Sequence, residues 1–168
     1  MRRADFKAIC VWGILVFGLC AVIAARAAQQ SFTISISTAQ SSFKATREIR
    51  LQVIITNTSQ QEIAVGNAGG EAAELSGYEI IVFDDKGNAP PETRYHKGVR
   101  REDPNIPVGT GSLVKVSLGP GQSLKDATIL NRLYDLSKPG NYTIQVQRTD
   151  PETKTVVKSN IITLTITP

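Results

Sequence analysis

Apolar and polar residues alternate one by one along much of this chain. Phe32, Ile34 and Ile36 interleave with Thr33, Ser35 and Ser37, and Ile49, Leu51, Val53 and Ile55 with Arg50, Gln52 and Thr56. Tyr142, Ile144 and Val146 do the same with Thr143, Gln145 and Gln147, as do Ile162, Leu164 and Ile166 with Thr163, Thr165 and Thr167. A period of two with β-branched enrichment puts one face of a strand on a core and the other in water. Residues 78–83, Tyr-Glu-Ile-Ile-Val-Phe, are apolar on both faces beyond Glu79, which predicts a central strand covered on both sides. Weaker strand patterns run over 62–65, 113–118 and 124–130, and residues 130–136 have room for one helical turn. No long segment carries a 3.6-residue apolar period.

Turn residues punctuate these strands. Asp84-Asp85-Lys86-Gly87-Asn88 reads as a hairpin, and Gly119-Pro120-Gly121 and Lys138-Pro139-Gly140-Asn141 as tight turns. Residues 88–112 form the longest stretch without strand pattern and hold Pro90, Pro91, Pro104 and Pro107, so a loop is predicted there. About seven short strands with frequent turns predict an all-β fold, an immunoglobulin-like antiparallel β-sandwich. The spacing Leu136, Gly140, Tyr142 matches a tyrosine corner, in which a Tyr at the start of a late strand bonds its hydroxyl back to the preceding turn.

The beginning of the chain follows a different pattern. A short basic start containing Arg2, Arg3 and Lys7 precedes an uncharged run, residues 8–25, and Ala25-Arg26-Ala27 offers small residues to a signal peptidase. Residues 1–27 therefore read as a signal peptide and 28–168 as one β-sandwich domain, exported to a periplasm or beyond the cell. An uncleaved membrane anchor is the alternative, since the apolar run is at the lower limit for a span. Removing Arg2, Arg3, Lys7, Arg26 and Asp5 from the 19 basic and 15 acidic residues leaves 15 and 14. The basic balance thus belongs mostly to the leader, and nucleic acid is not an expected partner. Both cysteines, Cys10 and Cys20, fall in the same segment, so a processed domain relies on its core without disulfides.

Four pieces in order resemble the BsuPI-like (intracellular proteinase inhibitor) family of bacterial immunoglobulin-type domains. They are a strand running into Asn57-Thr58-Ser59, then residues 78–84 followed by Lys86-Gly87-Asn88, then Leu118-Gly-Pro120-Gly121-Gln122-Ser123, and last Pro139-Gly140-Asn-Tyr142-Thr-Ile144. The resemblance implies a sandwich fold and, as one function, protease inhibition through an exposed loop within 88–112. The family pattern often has a Trp soon after the hairpin Gly. Here Asn88-Ala89-Pro90-Pro91 follows, so no inhibitory residue is carried over.

The inventory for chemistry is thin. With one His and no Cys after residue 27, neither a Cys/His zinc site nor a cysteine nucleophile can be assembled. No G-x-S-x-G is present, and no phosphate-cradling glycine loop precedes a helix. Asp84-Asp85 reads as turn chemistry. No catalytic residue, metal or cofactor is therefore expected, and the reading is a non-enzymatic binding module. Its candidate site is the cluster Arg94, Tyr95, His96, Lys97, Arg100 and Arg101, because Arg and Tyr favour binding hot spots and loops on a rigid sandwich carry recognition. The expected partner is another protein or an anionic envelope polymer, with a membrane only if residues 1–27 are retained. An envelope-anchored structural role is the remaining alternative.

Overall fold

The computed structural model describes residues 30–68, 73–102, 105 and 114–168; the signal or anchor segment lies outside the described residues. Ten strands appear: β1 (Phe32–Thr38), β2 (Ser42–Lys44), β3 (Arg50–Asn57), β4 (Ile63–Asn67), β5 (Glu79–Asp84), β6 (Val114–Leu118), β7 (Ser123–Ile129), β8 (Gly140–Thr149), β9 (Val156–Lys158) and β10 (Ile162–Thr167). Two short helices, α1 (Arg94–Val99) and α2 (Leu130–Leu133), and a 3₁₀ turn, Ala73–Ser76, join them.

One sheet has the order β1-β3-β7 and is antiparallel throughout. The other has the order β2-β10-β8-β5, with β9 also on β8. Its β2–β10 pair is parallel, a departure from the all-antiparallel expectation. A ribbon of β4 and β6 completes the set. The alternating positions face inward together. Phe32, Ile34, Ile36, Leu51, Val53 and Ile55 meet Ile80, Val82, Ile144, Val146, Leu164 and Ile166 in one buried cluster. Burial of each such side chain contributes about 1.5–3 kcal/mol.

Between the sheets the chain crosses by way of α2. Leu136 is buried there, Gly140 takes a φ of +153° that favours glycine, and the Tyr142 hydroxyl donates to the Lys138 carbonyl at 2.8 Å. This is the bond of a tyrosine corner. Asn57 is also buried, its amide donating to the Gln61 and Leu118 carbonyls, which ties β3 to the β4–β6 ribbon.

Residues 78–83 correct an expectation. Their strand, β5, is an edge strand, paired with β8 alone. Ile80 and Val82 are buried, but Ile81 is half-buried and Phe83 is 43% exposed. The second apolar face therefore does not lie under a layer of the sandwich. It borders a cleft.

Candidate functional site

The expected loop around residue 94 is helical where it is described. Thr93 caps α1, its Oγ1 accepting from the His96 amide at 3.1 Å and donating to the Arg132 carbonyl. The Thr93 amide donates to the Leu133 carbonyl, and the Asp135 amide to that of Pro91, so α1 is fastened to α2. The helix closes with Arg101 in the left-handed region at φ 58°, its amide on the Gly98 carbonyl and the Glu102 amide on that of Lys97. A Thr that follows two prolines and caps the next turn was the available signal; the prolines alone read as loop.

The six candidate residues separate on this helix. Arg94, Lys97, Arg100 and Arg101 are exposed, Tyr95 is half-buried and His96 is turned inward at 6% exposure. Tyr95 donates its hydroxyl to Glu74 Oε1 at 2.9 Å; burial and the Glu74 charge push its pKa up to about 12. Arg100 bridges Glu92 at 2.8 Å and Glu102 at 2.9 Å. Arg94, Lys97 and Arg101 form no ion pair among the described residues. The buried His96 is thus no part of an exposed cationic patch.

Instead His96 faces β5 across a cleft of about 440 Å³. The strand side is Glu79 to Phe83, and the opposite side includes Glu92, His96, Val99, Arg100 and Tyr134. Tyr134 holds the two sides together. Its hydroxyl donates to the Ile80 carbonyl at 2.6 Å, and its ring meets the His96 ring edge-to-face at 4.9 Å. Burial and then the nearby Glu92 charge hold the Tyr134 hydroxyl protonated, up to about 12. Deeper in the cleft Glu74 is also buried and accepts from Thr128 Oγ1 at 2.6 Å.

The Ile80 carbonyl points away from β8, which fixes the outward set of β5 backbone groups as those of residues 80, 82 and 84. Asp84 spends its amide and carbonyl on the hairpin, with Asn88 and Gly87. Among the described residues nothing bonds the outward amide and carbonyl of Val82. Sequence reasoning missed this edge, because an apolar outer face reads the same whether a layer or a cleft covers it.

Among the described residues the lining holds no Ser, Thr or Cys. Burial pulls the His96 pKa below its usual value, outweighing the nearby Glu92 carboxylate, and the ring is neutral at pH 7. Its Nδ1 lies 3.8 Å from Glu92 Oε1 and has no hydrogen-bond partner. Among the described residues no group of three or more His, Cys, Asp or Glu side chains is placed to hold a metal ion.

No protein-family profile matches the sequence, and no curated protein matches it. Solved structures do. The crystal structure of the CARDB domain of a Pyrococcus furiosus protein, in complex with di-metal ions, matches over 82% of this chain and 89% of its own, at 12% identity and a TM-score of 0.44. An NMR structure of the same domain matches over 81% and 94%, at 14% identity and a TM-score of 0.38. A β-glucosidase from Erythrobacter marinus matches over 82% of this chain but 16% of its own, at 16% identity and a TM-score of 0.45. By its own topology the chain is an all-β, immunoglobulin-like sandwich.

Proposed function

We propose that this protein is an exported, non-catalytic binding module that takes an extended segment of another protein at the free edge of β5. One observation carries the reading: β5 is paired on one side only and faces a cleft, with apolar Ile81 and Phe83 at its rim, and among the described residues nothing bonds the amide and carbonyl of the buried Val82. A partner strand there gains main-chain hydrogen bonds from the edge and side-chain contacts from the cleft. The resemblance to proteinase inhibitors would make the partner a protease. The inhibitory loop it implied is α1 over Arg94–Val99, and residues 103, 104 and 106–112 lie outside the described residues.

A second reading has its own support. Arg94, Lys97 and Arg101 are exposed and suit an anionic envelope polymer. Capture of partners from an envelope extract by the purified protein separates the two. Ile81→Lys with Phe83→Lys adds charge to the strand edge; Arg94→Ala, Lys97→Ala and Arg101→Ala together remove the cationic surface. Strand addition predicts that the first variant releases the partner and the second retains it. Release by the second alone makes the polymer reading correct, and retention by both refutes the edge.

A further inference from the structure

Among the described residues the lining of the cleft beside β5 carries three carboxylates and one cation, and the buried Tyr78 hydroxyl in it has no hydrogen-bond partner. His96 is 6% exposed, it lines the cleft, and its Nδ1 has no partner. In the tautomer with its proton on Nε2, the neutral ring presents Nδ1 as an acceptor, and a carboxylate only accepts. In that tautomer Nδ1 and Glu92 Oε1 are two acceptors 3.8 Å apart, of which only Oε1 has a donor, Arg100 at 2.8 Å. Among the described residues Glu74, Glu79 and Glu92 line the cleft against one guanidinium, that of Arg100. That guanidinium is half exposed and divides itself between Glu92 and Glu102. Among the described residues Glu74 accepts from the hydroxyls of Tyr95 and Thr128, and Glu79 from the Gln147 amide. Among the described residues no cation pairs with either.

Resting on the reading that a partner strand docks at β5, we propose that the cleft takes an arginine side chain of that strand, its guanidinium donating to His96 Nδ1 and the Glu92 carboxylate. A guanidinium carries several N–H donors in one plane and no acceptor, which matches two acceptors side by side. The Tyr134 ring beside His96 offers an aromatic surface to the same group. The partner is accordingly an extended, arginine-containing peptide segment, with the arginine on the cleft side of the strand.

The test is an NMR titration of the full chain with n-butylguanidinium, beside n-butylurea, which is nearly the same shape without the charge. The guanidinium is expected to give saturable shifts at the His96 imidazole and at the amides of Ile80, Val82 and Arg100. Butylurea should bind about tenfold more weakly, and so should butylguanidinium to Glu92→Gln. Spectra of Glu92→Gln that match the parent away from α1 show that its fold is intact; His96→Leu, which also removes an acceptor, is the second variant. Equal binding of butylurea, or guanidinium shifts confined to other surfaces, overturns the proposal. If the cleft ignores butylguanidinium while Ile81→Lys with Phe83→Lys still releases the partner, the arginine is wrong and the strand edge stands. If butylguanidinium fills the cleft while that variant keeps its partner, the edge is wrong and a guanidinium site remains.

Discussion

Two outermost strands, β1 and β5, end their sheets in opposite ways. Along β1 the outward backbone of Ile36 is taken up from elsewhere in the chain. The Asn160 side chain accepts from the Ile36 amide at 2.9 Å and donates to its carbonyl at 3.1 Å. Just before the strand, the buried Asp150 accepts from the amide and hydroxyl of Ser31, both at 2.8 Å, and the Ser31 carbonyl takes the amides of Thr58 and Ser59. Along β5, Tyr134 occupies one carbonyl and the hairpin another residue, and among the described residues nothing bonds the amide and carbonyl of the buried Val82 beside the cleft. An unpaired edge invites pairing with another chain, and a side-chain cap at Ile36 opposes that on β1 where β5 has a cleft instead.

The largest expected effect lies at the closed edge. Asp150→Ala leaves the Ser31 amide and hydroxyl buried without an acceptor, and urea unfolding is expected to show a loss of about 3 kcal/mol. Burial raises the Asp150 pKa, but the Ser31 hydrogen bonds outweigh it and hold the group at about 2. The carboxylate's contribution is therefore complete above the unfolded value of about 3.9 and fades as pH falls toward 2. The acid limb of the stability profile should be shallower in Asp150→Ala.

Next comes Asn160→Ala, which removes both bonds to Ile36 at a cost of about 1–2 kcal/mol. It also uncovers the β1 edge, so sedimentation should show concentration-dependent self-association absent from the parent. If the variant stays monomeric, Asn160 is not what protects that edge.

At the open edge the sign reverses. His96→Leu removes a buried nitrogen that has no partner and is expected to raise stability by about 1 kcal/mol. It should do so while abolishing the butylguanidinium response. Burial depresses the His96 pKa, with Glu92 and Glu74 opposing and Arg100 assisting. The unfolded chain then takes up a proton below about pH 6.5 while the folded ring stays neutral, so stability falls from that pH downward until the folded ring also protonates. Urea midpoints between pH 7 and 5 should lose this slope in His96→Leu. The smallest change is expected from Ile81→Lys with Phe83→Lys, within about 0.5 kcal/mol, since both side chains stand on the outer face. A larger loss would mean that the outer face of β5 supports the sandwich and is no docking surface.

Much of the scaffold was legible because its signals are local. Alternation at Leu51, Val53 and Ile55 marks the inner face of β3 whatever it packs on. The bond from Tyr142 to Lys138 spans four residues, so the turn that makes it is written in one short stretch. The three-residue strands β2 and β9 are too short to show a period, and only their pairing with β10 and β8 makes them strands.

The candidate site was legible in part. Residues 94–101 were singled out for their charge and aromatic content, and α1 does border the cleft. The partner of that helix was not visible, because Thr93 reaches Arg132 and Leu133 some forty residues later in the chain. The sequence by itself determined an alternating, cysteine-poor chain that folds as a sandwich, because side-chain period is a property of neighbours. Tertiary structure alone decided that residues 78–83 form an edge, that His96 turns inward and that a cleft lies beside Val82. Each of these depends on which distant strand or helix claims the backbone, and pairing across such separations leaves no local mark.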